Sequence, residues 1–206
     1  MKEISIYHIS DNHGTHFKTE KSDFLIHSGD HCNFGTEQEF LRLASNLKEV
    51  RDSHKYSLFI PGNHEKICQR DFSFCKNILL DQANTTILLN TILEVDGLIF
   101  GANSNTRIFN NWAFESSEET RKRFYDNFPK VDIMISHTPP KSLIYYGCEF
   151  LDNYLNEHKP EILLCGHAHE ISKQNSYYIH NNGITKMYNS AKTYNMINFK
   201  YNVDRV

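Results

Sequence analysis

Five short polar clusters punctuate this 206-residue chain, each just past a β-like apolar run. They are Asp11-Asn12-His13, Gly29-Asp30, Gly62-Asn63-His64-Glu65, Ser136-His137 and Gly166-His167-Ala168-His169. Strands that alternate with helices, as in the first half here, tend to pair in parallel. Parallel sheets gather their ligands outside the carboxyl ends of the strands. The clusters sit at such ends, after Ile9, His27, Ile60, Ile135 and Leu164. Carboxylates, imidazoles and a single amide oxygen are also the donor types that hold paired divalent cations.

Short β-branched or apolar runs closed by Gly, Asn, Asp or Pro predict strands over 3–9, 23–27, 56–60, 85–89, 91–95, 98–101, 131–136 and 161–165. Asp96-Gly97 supports a primed hairpin turn between the fifth and sixth of these. Asn182-Gly183 marks a second hairpin, between 177–180 and 184–188, and a last strand is expected over 196–201. These Tyr-rich C-terminal strands either complete a sheet or pair across a dimer. Helices are expected over 36–51, 116–127 and 148–158. Thr36 with Glu39 has capping-box spacing, and Phe40, Leu43, Ala44 and Leu47 then form an apolar stripe. Ser116 and Glu119 repeat that start signal. No repeat, linker or low-complexity tract interrupts the chain, so residues 1–206 are expected to form a single domain.

Composition narrows the function classes. A net charge of −3 gives no global basic field, which disfavours nucleic-acid partners. No apolar stretch approaches the ~20 residues of a membrane span. Strand-like residues begin almost at Met1, leaving no space for a signal peptide. Five cysteines without CxxC spacing point to reduced thiols and a cytoplasmic protein rather than a disulfide frame.

Each cluster has its own chemistry. Asp11 and His13 lie two apart at a strand exit, where alternation can aim both side chains at one point. Asp30 has two oxygens and can bridge two cations. Pro61-Gly62 turns the chain sharply, after which Asn63 offers a neutral amide oxygen. Pro139-Pro140 cannot continue a central strand, so His137 marks a departure from the sheet. His167 and His169 are spaced like zinc-type ligands around one alanine.

Together these strings, D-x-H, G-D, G-N-H-[DE], H and G-H-x-H, resemble the calcineurin-like metallophosphoesterase superfamily. The strings Ile26-His27-Ser28-Gly29-Asp30, Asn111-Trp112-Ala113-Phe114 and Ser136-His137-Thr138-Pro139-Pro140 are most similar to its small MPPED-like, class III phosphodiesterase-related branch. The resemblance implies a four-layer α/β/β/α sandwich of two mixed sheets, with a dinuclear site at one edge. It implies that Asp11, His13 and His169 hold one metal, that Asn63, His137 and His167 hold the other, and that Asp30 bridges them. His64 matches the family's catalytic histidine that is not a ligand. The implied cofactors are two divalent ions, manganese first, with iron, zinc, nickel or cobalt as alternatives. Two such cations ~3.5–4 Å apart clamp phosphoryl oxygens and activate a bridging water for in-line attack, with His64 assisting the leaving group.

Phosphoprotein phosphatases of the superfamily carry arginines beside the second and third motifs, which grip a dianionic monoester. Here Phe34 and Pro61 occupy those positions. A small phosphodiester, cyclic nucleotide or nucleotide-like, is therefore the expected substrate. The polar and aromatic stretch 103–112 either lines the cleft, with Arg107 and Trp112 as candidate contacts to phosphate and base, or is a surface loop with Trp112 tucked into the core, and His31 is a further polar contact or else a solvent-exposed residue. The alternatives are a phosphomonoesterase and a non-catalytic protein-binding scaffold of the same fold. The scaffold reading is disfavoured because the metal-ligand set and His64 are all present.

Overall fold

The computed structural model describes residues 1–202. Its first half runs β1 (Lys2–Ile9), β2 (Ser22–His27), α1 (Glu37–Val50), β3 (His54–Phe59), α2 (Lys66–Arg70), α3 (Phe72–Ala83), β4 (Thr85–Ile87), β5 (Ile92–Val95) and β6 (Leu98–Asn103). The remainder runs β7 (Thr106–Arg107), β8 (Glu115–Ser116), α4 (Glu118–Asp126), β9 (Ile133–Ser136), α5 (Glu149–His158), β10 (Ile162–Cys165), β11 (Tyr178–Ile179), β12 (Lys186–Asn189) and β13 (Tyr194–Tyr201). One sheet has the order β13-β1-β2-β3-β4 and a second the order β11-β12-β10-β9-β6-β5. Both are mixed. β1 is parallel to β2 and antiparallel to β13, and β6 is parallel to β9 and antiparallel to β5.

Alternation along the strands explains the layering. Ile6, Phe24 and Ile26 of the first sheet meet Phe100, Ile133, Ile135 and Leu164 of the second in one shared core. The intervening Tyr7, Leu25 and Phe59 turn the other way, onto Phe40, Leu43 and Leu47 of α1 and Leu79 of α3. On the far side Met134, Leu163 and Met187 meet Leu151, Tyr154 and Leu155 of α5 and Tyr125 of α4. This is the α/β/β/α sandwich. Each fully buried Ile, Leu or Phe contributes roughly 1.5–3 kcal/mol. Burial on both faces is why the central strands read as unbroken apolar runs.

Thr36 caps α1 as the spacing predicts, with Glu39 N donating to Thr36 Oγ1 at 3.3 Å and Thr36 N donating to Glu39 Oε2 at 3.0 Å. The start of α4 differs by one residue. Ser117, not Ser116, accepts from Thr120 N at 3.2 Å, because Ser116 is already committed to β8. Sequence periodicity also misses α2 and α3. In α3 the buried stripe is Cys75, Leu79 and Ala83, but Phe72, Phe74, Ile78 and Leu80 spread apolar character around the helix and hide its period. Its ends are clear locally: Asp71 accepts from Phe74 N at 3.0 Å, and Asn84 stops the helix at φ 50°. The C-terminal strands pair within the chain, β11 and β12 in the second sheet and β13 along the whole of β1.

Candidate metal centre

The five clusters leave β1, β2, β3, β9 and β10 at their carboxyl ends and converge. Ligand atoms of Asp11, His13 and His169 lie within 4.8 Å of one another, as do those of His13, Asp30 and His64, and those of Asp30, His137 and His167. Asn63 joins the third group, its Oδ1 lying 3.0 Å from His137 Nε2.

The backbone that makes this possible is not strand alternation. β1 ends at Ile9, and Asp11, His13, Asp30 and His167 all adopt left-handed conformations, with φ of 56°, 46°, 58° and 64°. For residues with a side chain such conformations cost of order 1–3 kcal/mol each and persist only where the surroundings enforce them. Here Asp11 N donates to Gly29 O at 2.8 Å and His13 N to Asp30 O at 3.1 Å, zipping the first two loops together. His167 N donates to Asp11 Oδ2 at 2.9 Å, which ties in the last loop. The Glu65 carboxylate, fully buried, accepts from Asp30 N, Cys32 N and Gly62 N at 2.8, 2.8 and 2.7 Å. Sequence reasoning gave Glu65 no role. Its signal is only its place in the G-N-H-[DE] string. Glycine is required at 62 and 166 for space: a Cβ at 62 would meet Asp30 Oδ1 and the His137 ring, and one at 166 would meet Ser10 Oγ and Asp11 Oδ2.

The donor set fits cations. His137 Nδ1 lies 2.8 Å from Ser28 O, an acceptor, so Nδ1 carries the hydrogen. The neutral ring then aims its Nε2 lone pair at Asp30 Oδ2, 3.1 Å away, and at Asn63 Oδ1. Three acceptors facing one another need a proton or a metal ion between them. With no cation, burial lowers the His137 pKa but Asp30 prevails and raises it to about 10, supplying that proton. A similar conflict recurs where His13 and His169 oppose their Nε2 atoms at 3.4 Å, with His169 also 3.1 Å from Asp11 Oδ1. Burial, then the neighbouring His137, lowers His167 to about 4, and burial lowers His13, leaving both as the neutral imidazoles that bind metals. Burial opposes the charge of Asp11, yet the His169 hydrogen bond, the nearby His137 and a 2.6 Å bond from Ser10 Oγ hold it below the usual carboxylate range.

His64 stands beside this set. Its Nδ1 donates to Asn33 O at 2.5 Å, so Nε2 is the atom left facing the centre, 3.9 Å from Asp30 Oδ2. From Asn63 and His167 a cleft of 370 Å³ runs outward between Trp112, Phe109, Tyr145 and Tyr146, with Arg107 and Glu115 on its walls. Arg107 lies over the rings of Phe109 and Tyr146, 5.9 and 5.7 Å from their centroids, and Tyr146 Oη donates to Glu170 at 2.7 Å. Nothing in the sequence singled out Tyr145 and Tyr146. His31 does not reach the cleft and is not solvated either. It is 1% exposed, packed edge-on against Phe17 and His27. No helix among the described residues is long and apolar enough to cross a membrane.

Two solved chains share the fold: one at TM-score 0.65 and 11% identity, covering 98% of this chain and all of its own, and TT1561 of Thermus thermophilus at TM-score 0.64 and 13% identity, covering 90% and 88%. A probable rhamnogalacturonate lyase C of Emericella nidulans is 28% identical over 81% of this chain, which spans 17% of that longer protein. The UPF0046 proteins K07C11.7 and C25E10.12 of Caenorhabditis elegans are each 25% identical, over 92% and 82% of this chain and 70% and 66% of their own length, and they support the small MPPED-like branch. The sequence profile of the calcineurin-like phosphoesterases matches residues 4–170, and the chain belongs to that family.

Proposed function

We propose that this phosphoesterase hydrolyses a small phosphodiester, cyclic nucleotide or nucleotide-like, at a dinuclear centre in which manganese is the first ion to test. Asp11, His13 and His169 would hold one ion, Asn63, His137 and His167 the other, and Asp30 would bridge them. When bound, the two cations polarise the phosphoryl oxygens and activate water. His64 Nε2, held toward the centre by the Asn33 carbonyl, donates a proton to the departing oxygen.

The observation that carries the diester reading is the charge of the cleft. Arg107 is its one arginine or lysine and is matched there by Glu115, while Phe109, Trp112, Tyr145 and Tyr146 give it apolar walls. Phe34, 72% exposed, and Pro61, buried, supply no guanidinium where monoester phosphatases have theirs. A monoanion with a second organic substituent suits such walls better than a dianion does. The test is turnover of bis(p-nitrophenyl) phosphate against p-nitrophenyl phosphate with Mn²⁺, beside an Asp30→Ala control assayed for metal content. The reading expects diester preference, with activity and metal lost together in the control. Monoester preference would overturn it.

A further inference from the structure

Beyond the aromatic cleft lies a second, smaller cavity of 180 Å³ that shares Arg107, Thr138, Tyr145 and Tyr146 with it. Its other walls include Arg121 of α4 and Lys141. Three cations, Arg107, Arg121 and Lys141, face two carboxylates, Glu118 and Glu149. Lys141 pairs with Glu149 at 3.2 Å, but among the described residues neither arginine has a carboxylate within 4.0 Å.

Arg121 is the unusual member. Only 9% of it is exposed, and a buried charge is ordinarily paired with an opposite one. Its Nη1 donates to the carbonyl oxygens of Thr106 and Ser116, which fixes the guanidinium in place. A guanidinium has five N–H donors, so those on Nε and Nη2 are left with no protein acceptor among the described residues. Thr138 is one of the residues common to both cavities. An anchored, unpaired guanidinium and a second arginine at the shared wall are the groups that grip a phosphate.

We propose that this cavity is an anion subsite for a second phosphate group on the substrate. The substrate class is then a nucleotide-like diester whose scissile phosphate lies at the metals, whose ring system occupies the aromatic cleft and whose further phosphate reaches Arg121. The assignment of the ligand as substrate rests on the diesterase reading; the binding of a second phosphate does not.

Two measurements on the Mn²⁺-loaded protein separate them. The first is calorimetric titration with thymidine 3′,5′-bisphosphate and with thymidine 5′-phosphate. The bisphosphate is expected to bind about tenfold tighter or more, and the difference between the two ligands should collapse in Arg121→Gln. Because Arg121 also holds two backbone carbonyls, Lys141→Gln, on the exposed rim, serves as a second variant and should narrow the same difference. Equal affinities, or a difference that survives both substitutions, would overturn the subsite. The second measurement is hydrolysis of thymidine 5′-(p-nitrophenyl phosphate) with and without a 3′-phosphate. Discrimination in binding with no turnover of either ester keeps the subsite and sinks the diesterase reading. Turnover of both esters with no gain from the 3′-phosphate does the reverse.

Discussion

The indole of Trp112 lies over the imidazole of His64, ring centroids 4.1 Å apart and planes inclined by 36°. The placement of the Trp112 loop against the Asn63 turn is fixed by the backbone: Ala113 N donates to Asn63 O at 2.9 Å and Trp112 N to Glu115 Oε1 at 2.8 Å. With Asn33 O on Nδ1 and the His13 ring nearly perpendicular to it, centroids 4.8 Å apart, His64 has little freedom to turn. Trp112 thus lines the cleft and also braces the proposed proton donor. Trp112→Leu should slow a diester with an alkoxide leaving group, such as a 3′,5′-cyclic nucleotide, by about 10²-fold, within the range of general-acid assistance. A p-nitrophenoxide leaving group needs little such help, so its kcat should be nearly unchanged and any lost stacking should appear in KM. The double variant with His64→Ala should be no slower than His64→Ala alone, and Trp112→Phe should restore most of the rate. Equal losses with both leaving groups would mean that Trp112 serves binding instead.

Gly166 is a matter of space. A methyl group there would press on Ser10 Oγ and Asp11 Oδ2, the pair that orients Asp11. Gly166→Ala should therefore lower metal affinity, by about 10–100-fold as for other changes just behind metal ligands, while circular dichroism stays native. Undiminished metal content after dialysis would contradict this.

How much of this was legible in the residues follows from what is local. The order of the clusters and their places after β1, β2, β3, β9 and β10 could be read, because each strand and its exit are short-range features. Helix α3 was hidden by apolar residues that spread well beyond its buried stripe. The left-handed backbones of Asp11, His13, Asp30 and His167 could not be read, since they are imposed by bonds between loops far apart in sequence. His31 misled because a histidine next to a ligand looks available, and only the packing of Phe17 and His27 shows that it is not. The Arg121 cavity depends on α4, Lys141 and the loop at Thr106 meeting in space, which no spacing announces.

Acid should destabilise the metal-free protein from near-neutral pH downward. Burial holds His8 at about 3, His31 at about 4 and His27 well below its usual value. Their folded pKa values are depressed below the unfolded 6.5, so below that pH the unfolded chain binds more protons. The neutral rings contribute their full stability above about 6.5, and it is lost as pH falls toward about 4. Each such group contributes a slope of about 1.4 kcal/mol per pH unit inside that window. Urea midpoints measured from about pH 6.5 to 4.5 should fall accordingly, and His27→Phe should flatten the curve. A midpoint constant across that range would refute the assignment.

Glu65 offers the sharpest separation of structure from chemistry. It touches no proposed ligand atom through its carboxylate, yet its oxygens accept the N–H groups of Asp30, Cys32 and Gly62 and so lock the second cluster against the third. Glu65→Ala would leave three buried donors without an acceptor, a loss of about 3 kcal/mol or more at ~1–3 kcal/mol for each unsatisfied group. The slack would fall on Asp30, whose Oδ1 also accepts from His64 N at 2.8 Å, so the proposed bridging ligand and the proposed proton donor should loosen together. Glu65→Gln keeps an acceptor oxygen and should recover part of the stability, but its amide group would face N–H donors and leave at least one unmatched. The expected order of both urea midpoint and Mn²⁺ affinity is therefore native, then Gln, then Ala. If the Ala variant kept native metal affinity while losing stability, the three hydrogen bonds would hold the fold alone and not the geometry of the centre.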